Sequence, residues 1–173
     1  MDKILVSACL LGSNVRYNAE PLPDIASILL QWQSAGRLVP ICPEVAGGLP
    51  IPRLPAELVG GDGRAMLLGK SQVRTAMGDN VSQAFIDGAQ LALHLACEHG
   101  VKMAILKARS PSCGNEEIYD GHFASRRIPG VGVTAALLTE HGITVFSEEQ
   151  LEEALAFDQA TGCSVSLPEI SSS

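Results

Sequence analysis

Aromatic residues are scarce in this chain of 173 residues: one Trp, two Tyr and four Phe, 4% of the total. So few rings argue against a platform for stacking single-stranded nucleic acid. Positive charge is also short. Twelve Lys and Arg stand against 19 Asp and Glu, a net charge of -7, so a polyanion is repelled on average and nucleic acid is not an expected partner. No apolar run approaches the roughly 20 residues that span a bilayer, so no membrane partner is expected either. The first apolar run, Ile4 to Leu11, stops at Gly12-Ser13-Asn14 and lacks the basic leader and small-residue cleavage site of a signal peptide. No Cys-x-x-Cys pair occurs, and the five cysteines are an odd number in a chain too long to need disulfide staples. These absences favour a soluble cytoplasmic protein with reduced thiols.

What remains is 46% hydrophobic and 18% charged, the profile of an Ala/Val/Leu-rich globular enzyme. The length suits one domain able to bury about 70% of its unfolded surface. We expect a single α/β domain over residues 1–162 and a polar tail over 163–173. Four short apolar runs read as strands: Ile4–Ala8, Leu38–Ile41, Met103–Leu106 and Ile143–Phe146. Helical patterns separate them, one starting at Pro23-Asp24, one from Asn80 to His99, one opened by Pro129-Gly130-Val131-Gly132. Ser147-Glu148-Glu149-Gln150 is a capping box for a last helix ending near Ala160. The helix before His99 is apolar almost all round and is expected to be well buried. Glu57–Leu68 and Glu117–Phe123 read as small β-hairpins around Gly-rich turns. The alternation predicts an α/β three-layer sandwich, with a mostly parallel central sheet of four to five strands, Rossmann- or flavodoxin-like, and hairpin insertions.

In such a sheet the strands' carboxyl ends share one edge, and loops there carry function. Cys9 follows the first strand, Cys42 the second, and Cys113 lies in the loop after the third, Lys107-Ala108-Arg109-Ser110-Pro111-Ser112-Cys113-Gly114. Three converging thiolates are soft ligands suited to zinc, copper(I) or an iron–sulfur cluster. With no fourth cysteine in these loops, an open metal site is the sharper expectation. Cys97, inside the long helix, reads as a packing residue, and Cys163 has no partners. Glu44, two residues from Cys42, is a candidate general base or a salt-bridge partner of Arg53. Ser110 and Ser112 are candidate hydrogen-bond donors to substrate or sulfur, or simply turn formers. Lys107, Arg109, Arg16 and Arg53 are candidate counter-charges. Gly130-Val131-Gly132 before a helix is a candidate anion seat.

Val6-Ser7-Ala8-Cys9-Leu10-Leu11-Gly12, Arg16-Tyr17, Cys42-Pro43-Glu44, Gly47-Gly48-Leu49-Pro50-Ile51-Pro52-Arg53, Lys107 to Gly114, Ile118-Tyr119-Asp120-Gly121 and Gly132 to Leu138 occur in this order. The series resembles the 2-thiouracil desulfurase family over about residues 3 to 157. The resemblance implies a [4Fe-4S] cluster on Cys9, Cys42 and Cys113 with its fourth iron open. It implies a non-redox desulfuration of a thiolated pyrimidine, the thiocarbonyl sulfur meeting the open iron as Lewis acid and leaving as hydrosulfide. Glu44 and Ser110 would be the acid/base and positioning residues. The partner would be a small thiolated base, and a homodimer is compatible with this reading. Where relatives often read Arg-Tyr-Asp-Gly, this chain has Arg16-Tyr17-Asn18-Ala19, a change that bears on substrate identity. A zinc-thiolate hydrolase on the same cysteines and a non-enzymatic small-molecule-binding module are the competing expectations.

Overall fold

The first strand sets the architecture. Ile-Leu-Val-Ser, β1 (Ile4–Ser7), is buried along its whole length, so both of its faces must be covered, the habit of a parallel sheet sandwiched by helices. The computed structural model describes residues 2–12 and 26–171, with side chains as far as residue 161. After β1 come a 3-10 turn (Ala8–Leu11), α1 (Ser27–Ser34), β2 (Leu38–Ile41) and α2 (Pro43–Ala46). Next are β3 (Ala56–Val59), α3 (Gly63–Leu67), β4 (Gln72–Thr75), α4 (Ser82–Glu98) and β5 (Met103–Leu106). The chain continues through β6 (Glu117–Tyr119), β7 (Arg127–Pro129), α5 (Val133–Glu140) and β8 (Thr144–Ser147). It then makes a 3-10 turn (Glu148–Gln150) and ends in α6 (Leu151–Ser171).

The main sheet has four strands in the order β2-β1-β5-β8, and every pairing in it is parallel. Leu5 sits opposite both Val39 and Ala104. The chain first builds outward from β1 to β2, then crosses to the other side of β1 for β5. The order therefore reverses between β1 and β5, which makes that crevice the switch point where doubly wound sheets bind ligands. Period-two alternation assigns the two faces. Leu5, Ala104 and Leu106 pack against Ala92 and Ala96 of α4 and Ala135, Ala136 and Leu138 of α5. Ile4, Val6, Met103 and Ile105 pack against Leu29 and Trp32 of α1 and Ala154 of α6. The expected three-layer α/β fold with a parallel centre is the fold observed.

Local expectations fare differently. The first hairpin is β3 against β4, and its second strand begins at Gln72, not within Glu57–Leu68. The residues assigned to that strand form α3 instead, because the Asp62 carboxylate accepts from the N–H groups of Arg64 and Ala65 and starts a helical turn. The second hairpin is β6 against β7, so its return strand lies beyond Phe123, where the expected hairpin ended. α4 is not buried all round. Phe85, Gly88, Ala89, Ala92 and Ala96 form its buried stripe, while Leu91, His94 and Cys97 face solvent. Cys97 is therefore not a packing residue. α6 continues past Ala160, where a stop was expected. The helix start at Pro23-Asp24 lies outside the described residues. Among the described residues, no helix is long and apolar enough to cross a membrane.

One packing detail fixes the site. α2 carries Pro43 and Glu44 directly after Cys42, and it lies backbone-on-backbone against α4. A Cβ at Gly88 would land on the carbonyl oxygen of Pro43. Ala in a helix interior ordinarily gains about 1 kcal/mol over Gly, but overpacking costs about 1–3 kcal/mol, and a backbone carbonyl cannot swing aside as a side chain can. Gly88→Ala should therefore lower the urea-unfolding midpoint, a net loss of up to about 2 kcal/mol, and speed the reaction of Cys42 with a thiol reagent. An unchanged midpoint and reactivity would show that α2 does not depend on this contact.

Candidate functional site

At the carboxyl ends of β1, β2 and β5 the chain must leave the sheet, and at each exit it carries a cysteine. Cys9 lies in the 3-10 turn after β1, Cys42 is the cap residue of α2, and Cys113 is buried in the loop after β5. All three border one cavity of about 540 Å³. Glu44 and Ser110 line it as well. Among the described residues, no three His, Cys, Asp or Glu side chains form a single-ion site. The thiols border a shared space without being drawn around one point.

The loop after β5 is held by side chains from three directions. Ser7 Oγ accepts the N–H of Lys107 at 2.9 Å and donates to Cys113 Sγ at 3.6 Å. Ser110 Oγ accepts the N–H of Cys113 at 2.7 Å, which leaves the Ser110 proton to point elsewhere. Glu148 accepts the N–H of Ala108 at 2.7 Å and pairs with Lys107 Nζ at 2.9 Å. The loop's own carbonyls then cap α5. Pro111 and Ser112 carbonyls accept from Val133 at 2.9 Å and Thr134 at 2.8 Å, and that of Gly114 from Gly132 at 2.7 Å. Gly132 is required there, since a Cβ would strike the Ser112 carbonyl. The expected anion seat at Gly130-Val131-Gly132 is thus already filled by backbone. Ser112 is fully buried, its hydroxyl 2.7 Å from that of Thr134, so it does not face the cavity as a donor.

Electrostatics follow from burial. Desolvation pushes the Cys113 thiol up to about 12, opposed by the Ser7 hydroxyl and reinforced by Glu44, Cys9 and Cys42. Burial also raises Cys42. The Glu44 carboxyl is pushed up by burial against the pull of Arg53, whose Nε lies 3.0 Å from Glu44 Oε1. Glu44 is the salt-bridge partner of Arg53 and also lines the cavity. Lys107 and Arg109 also line the cavity, but each is ion-paired, Arg109 with both carboxylate oxygens of Glu149 at 2.9 and 3.0 Å. Arg16 lies outside the described residues, as do Tyr17, Asn18 and Ala19 and the side chain of Cys163.

The sequence missed several residues that line the cavity or hold its loop. Ser7 reads only as the polar end of an apolar strand, and Glu148 only as a helix-start carboxylate. Glu57, Tyr119, Phe123 and Ser125 also line the cavity, brought there by hairpins whose tertiary position has no local signature. Backbone strain marks the same place. Among the described residues, the non-glycine positions with positive φ are Arg109 (70°), Phe123 (55°) and Ser125 (58°), and all three line this cavity. Such clustering is characteristic of functional sites.

Fold and site together define a parallel α/β protein that presents three thiols and a partly buried carboxyl to one cavity at the switch point of its sheet. A family model described as 2-thiouracil desulfurase matches residues 4–150. The chain belongs to the 2-thiouracil desulfurase family. It is 41% identical over 152 residues to the uncharacterized protein YbbK of Bacillus subtilis (strain 168), covering 88% of this chain and 99% of that one. A solved structure described as the [4Fe-4S]-dependent thiouracil desulfidase TudS is 46% identical, with a TM-score of 0.82, covering 92% of this chain and 99% of the other.

Glu148 provides a test of how the loop is held. A hydrogen bond to a charged acceptor contributes roughly 1.5–3 kcal/mol, and Glu148 accepts two. Glu148→Ala should lower stability by about 2 kcal/mol and accelerate hydrogen exchange at the amide of Ala108. Unaltered exchange there would mean that the loop is held without it.

Proposed function

We propose that this protein removes sulfur from a thiolated pyrimidine such as 2-thiouracil, without net redox change, using a [4Fe-4S] cluster held by Cys9, Cys42 and Cys113. The observation that carries the reading is the meeting of these three thiols and Glu44 on one cavity. The donor set fits the group: three soft sulfur ligands, one already taking a hydrogen bond from Ser7, around a space larger than one ion needs. A lone zinc would require its donors drawn to about 2.3 Å from one centre, and no three are so grouped among the described residues. The similarity to a [4Fe-4S]-dependent thiouracil desulfidase supports the cluster and the substrate class.

When bound, an iron with a position free of protein sulfur supplies a Lewis acid for the thiocarbonyl sulfur. The chain's own residues manage the protons. Glu44 is partly buried and its affinity for a proton is raised by desolvation, which suits a group that takes a proton from water as its oxygen adds to the thiocarbonyl carbon. The C–S bond then breaks, sulfur leaves as hydrosulfide, and the carbonyl product forms with no electron gained or lost. Arg53 holds the Glu44 carboxylate by its 3.0 Å contact and stabilises its ionised form in turn. Ser110, anchored as an acceptor by the amide of Cys113, directs its proton to the substrate.

Purified without oxygen, the protein should carry about four irons per chain and release sulfide from 2-thiouracil. Cys9→Ala, Cys42→Ala and Cys113→Ala should each lose the iron and its visible absorption, while Cys97→Ala keeps both. Glu44→Gln should retain the iron but lose about 100-fold in kcat. One zinc per chain without iron would overturn the cluster assignment, as would full iron content in Cys113→Ala.

A further inference from the structure

The outer wall of the cavity comes from elements that carry no cysteine. β3 supplies Glu57, β6 supplies Tyr119, and the β6–β7 connection supplies Phe123 and Ser125. Of the few aromatic rings in the chain, two stand on this wall. Phe123 is 38% exposed, so burial in the core does not account for its place. Its backbone lies at φ 55°, a left-handed conformation that a bulky residue seldom adopts.

One carboxylate enforces that conformation. Glu57 Oε1 accepts the N–H of Gly121 at 2.9 Å and that of Phe123 at 3.3 Å. The connection is also pressed onto β3, because a Cβ at Gly121 would strike the Leu58 carbonyl oxygen. A strained backbone held by a dedicated acceptor points to a side chain whose direction matters more than its burial. A half-exposed ring on a cavity wall offers a flat π face, which binds planar heteroaromatic rings by stacking.

We propose that Phe123 is the stacking face for the planar ring of the substrate, and that Glu57 is the positioning residue that aims it. The ligand class, a flat heteroaromatic ring bearing a thiocarbonyl, rests on the desulfuration reading above. A ring laid against Phe123 leaves its edge, where the thiocarbonyl and ring N–H groups are, to the rest of the cavity. Selectivity for aromatic thiocarbonyls then comes from the hairpin wall, separately from the thiols and Glu44.

The test uses the iron-loaded protein with 2-thiouracil as substrate and uracil as a sulfur-free ring. Phe123→Ala and Phe123→Leu should each raise KM about tenfold, with kcat within about twofold. Uracil binding by equilibrium dialysis should weaken by about the same factor. Phe123→Tyr and Phe123→Trp, which keep a flat π face, should recover KM to within about twofold. Glu57→Ala should match Phe123→Ala, Glu57→Gln should recover because it keeps the acceptor, and the double variant should be no worse than Phe123→Ala. Thermal melting of each variant separates loss of fold from loss of stacking. Unchanged KM and uracil affinity in Phe123→Ala would overturn the proposal, as would equal losses in the Ala, Leu, Tyr and Trp variants. Sulfide release failing in the unaltered protein would sink the desulfuration reading alone, because uracil dialysis still reports on Phe123.

Discussion

Parallel pairing of β1 with both β2 and β5 is the constraint on which the rest of this molecule depends. Parallel strands all end on the same edge, so three exits from the sheet, far apart in sequence, fall side by side in space. Antiparallel pairing of any one of them would carry its cysteine to the opposite edge. The register is held by burial. β1 and β5 are buried on both faces, and a one-residue slip would exchange Leu5 with Ile4 and Val6 between two differently shaped helical layers. The Ser7 hydroxyl then converts strand pairing into site geometry, since it touches both the backbone that leaves β5 and the sulfur of Cys113.

The loop after β5 needs this support because it is asked to be irregular and buried at once. Buried backbone must find hydrogen-bond partners, and here the partners are neighbouring functional elements. The carbonyls of Pro111, Ser112 and Gly114 meet the first N–H groups of α5 and its entry. These are the donors that a helix leaves unpaired. Loop and helix each satisfy what the other lacks, without a side-chain cap on α5. The same economy explains why Gly132 precedes the helix: only the absence of a Cβ lets the two backbones close to this distance.

How much of this was readable beforehand differs by scale. Continuous apolar runs such as Met103–Leu106 gave their burial and their strand type, and the cysteines following three of them were expected to converge and do line one cavity. The wall opposite was not readable. Glu57 sits in a weakly alternating stretch whose partner strand, Gln72–Thr75, lies across an intervening helical turn that Asp62 starts by capping. Phe123 looks like any hairpin residue until its φ is known. α4 misled for a different reason. Its leucines and alanines run round most of its circumference, yet only the Phe85–Ala96 stripe is buried, so hydrophobic content alone did not define the buried face. The Gly-rich entry to α5 likewise has the composition of an anion seat, and only tertiary contact shows its donors already used.

Charge in the cavity points the same way as geometry. Lys107, Arg109 and Arg53 border it, but Glu148, Glu149 and Glu44 each sit within ion-pair distance of one of them. These cations are therefore largely spent before any ligand enters, and they do not balance additional negative charge as their number suggests. Desolvation meanwhile raises the thiols of Cys113 and Cys42 above the ordinary thiol range. Arg53 favours ionisation of Cys42 only in part, against the larger effect of burial. A metal centre brings positive charge with it, and ligation then takes the thiol protons away as part of binding. Thiols raised by burial and basic residues already engaged are in keeping with the cluster proposed above, whose iron would supply the missing charge.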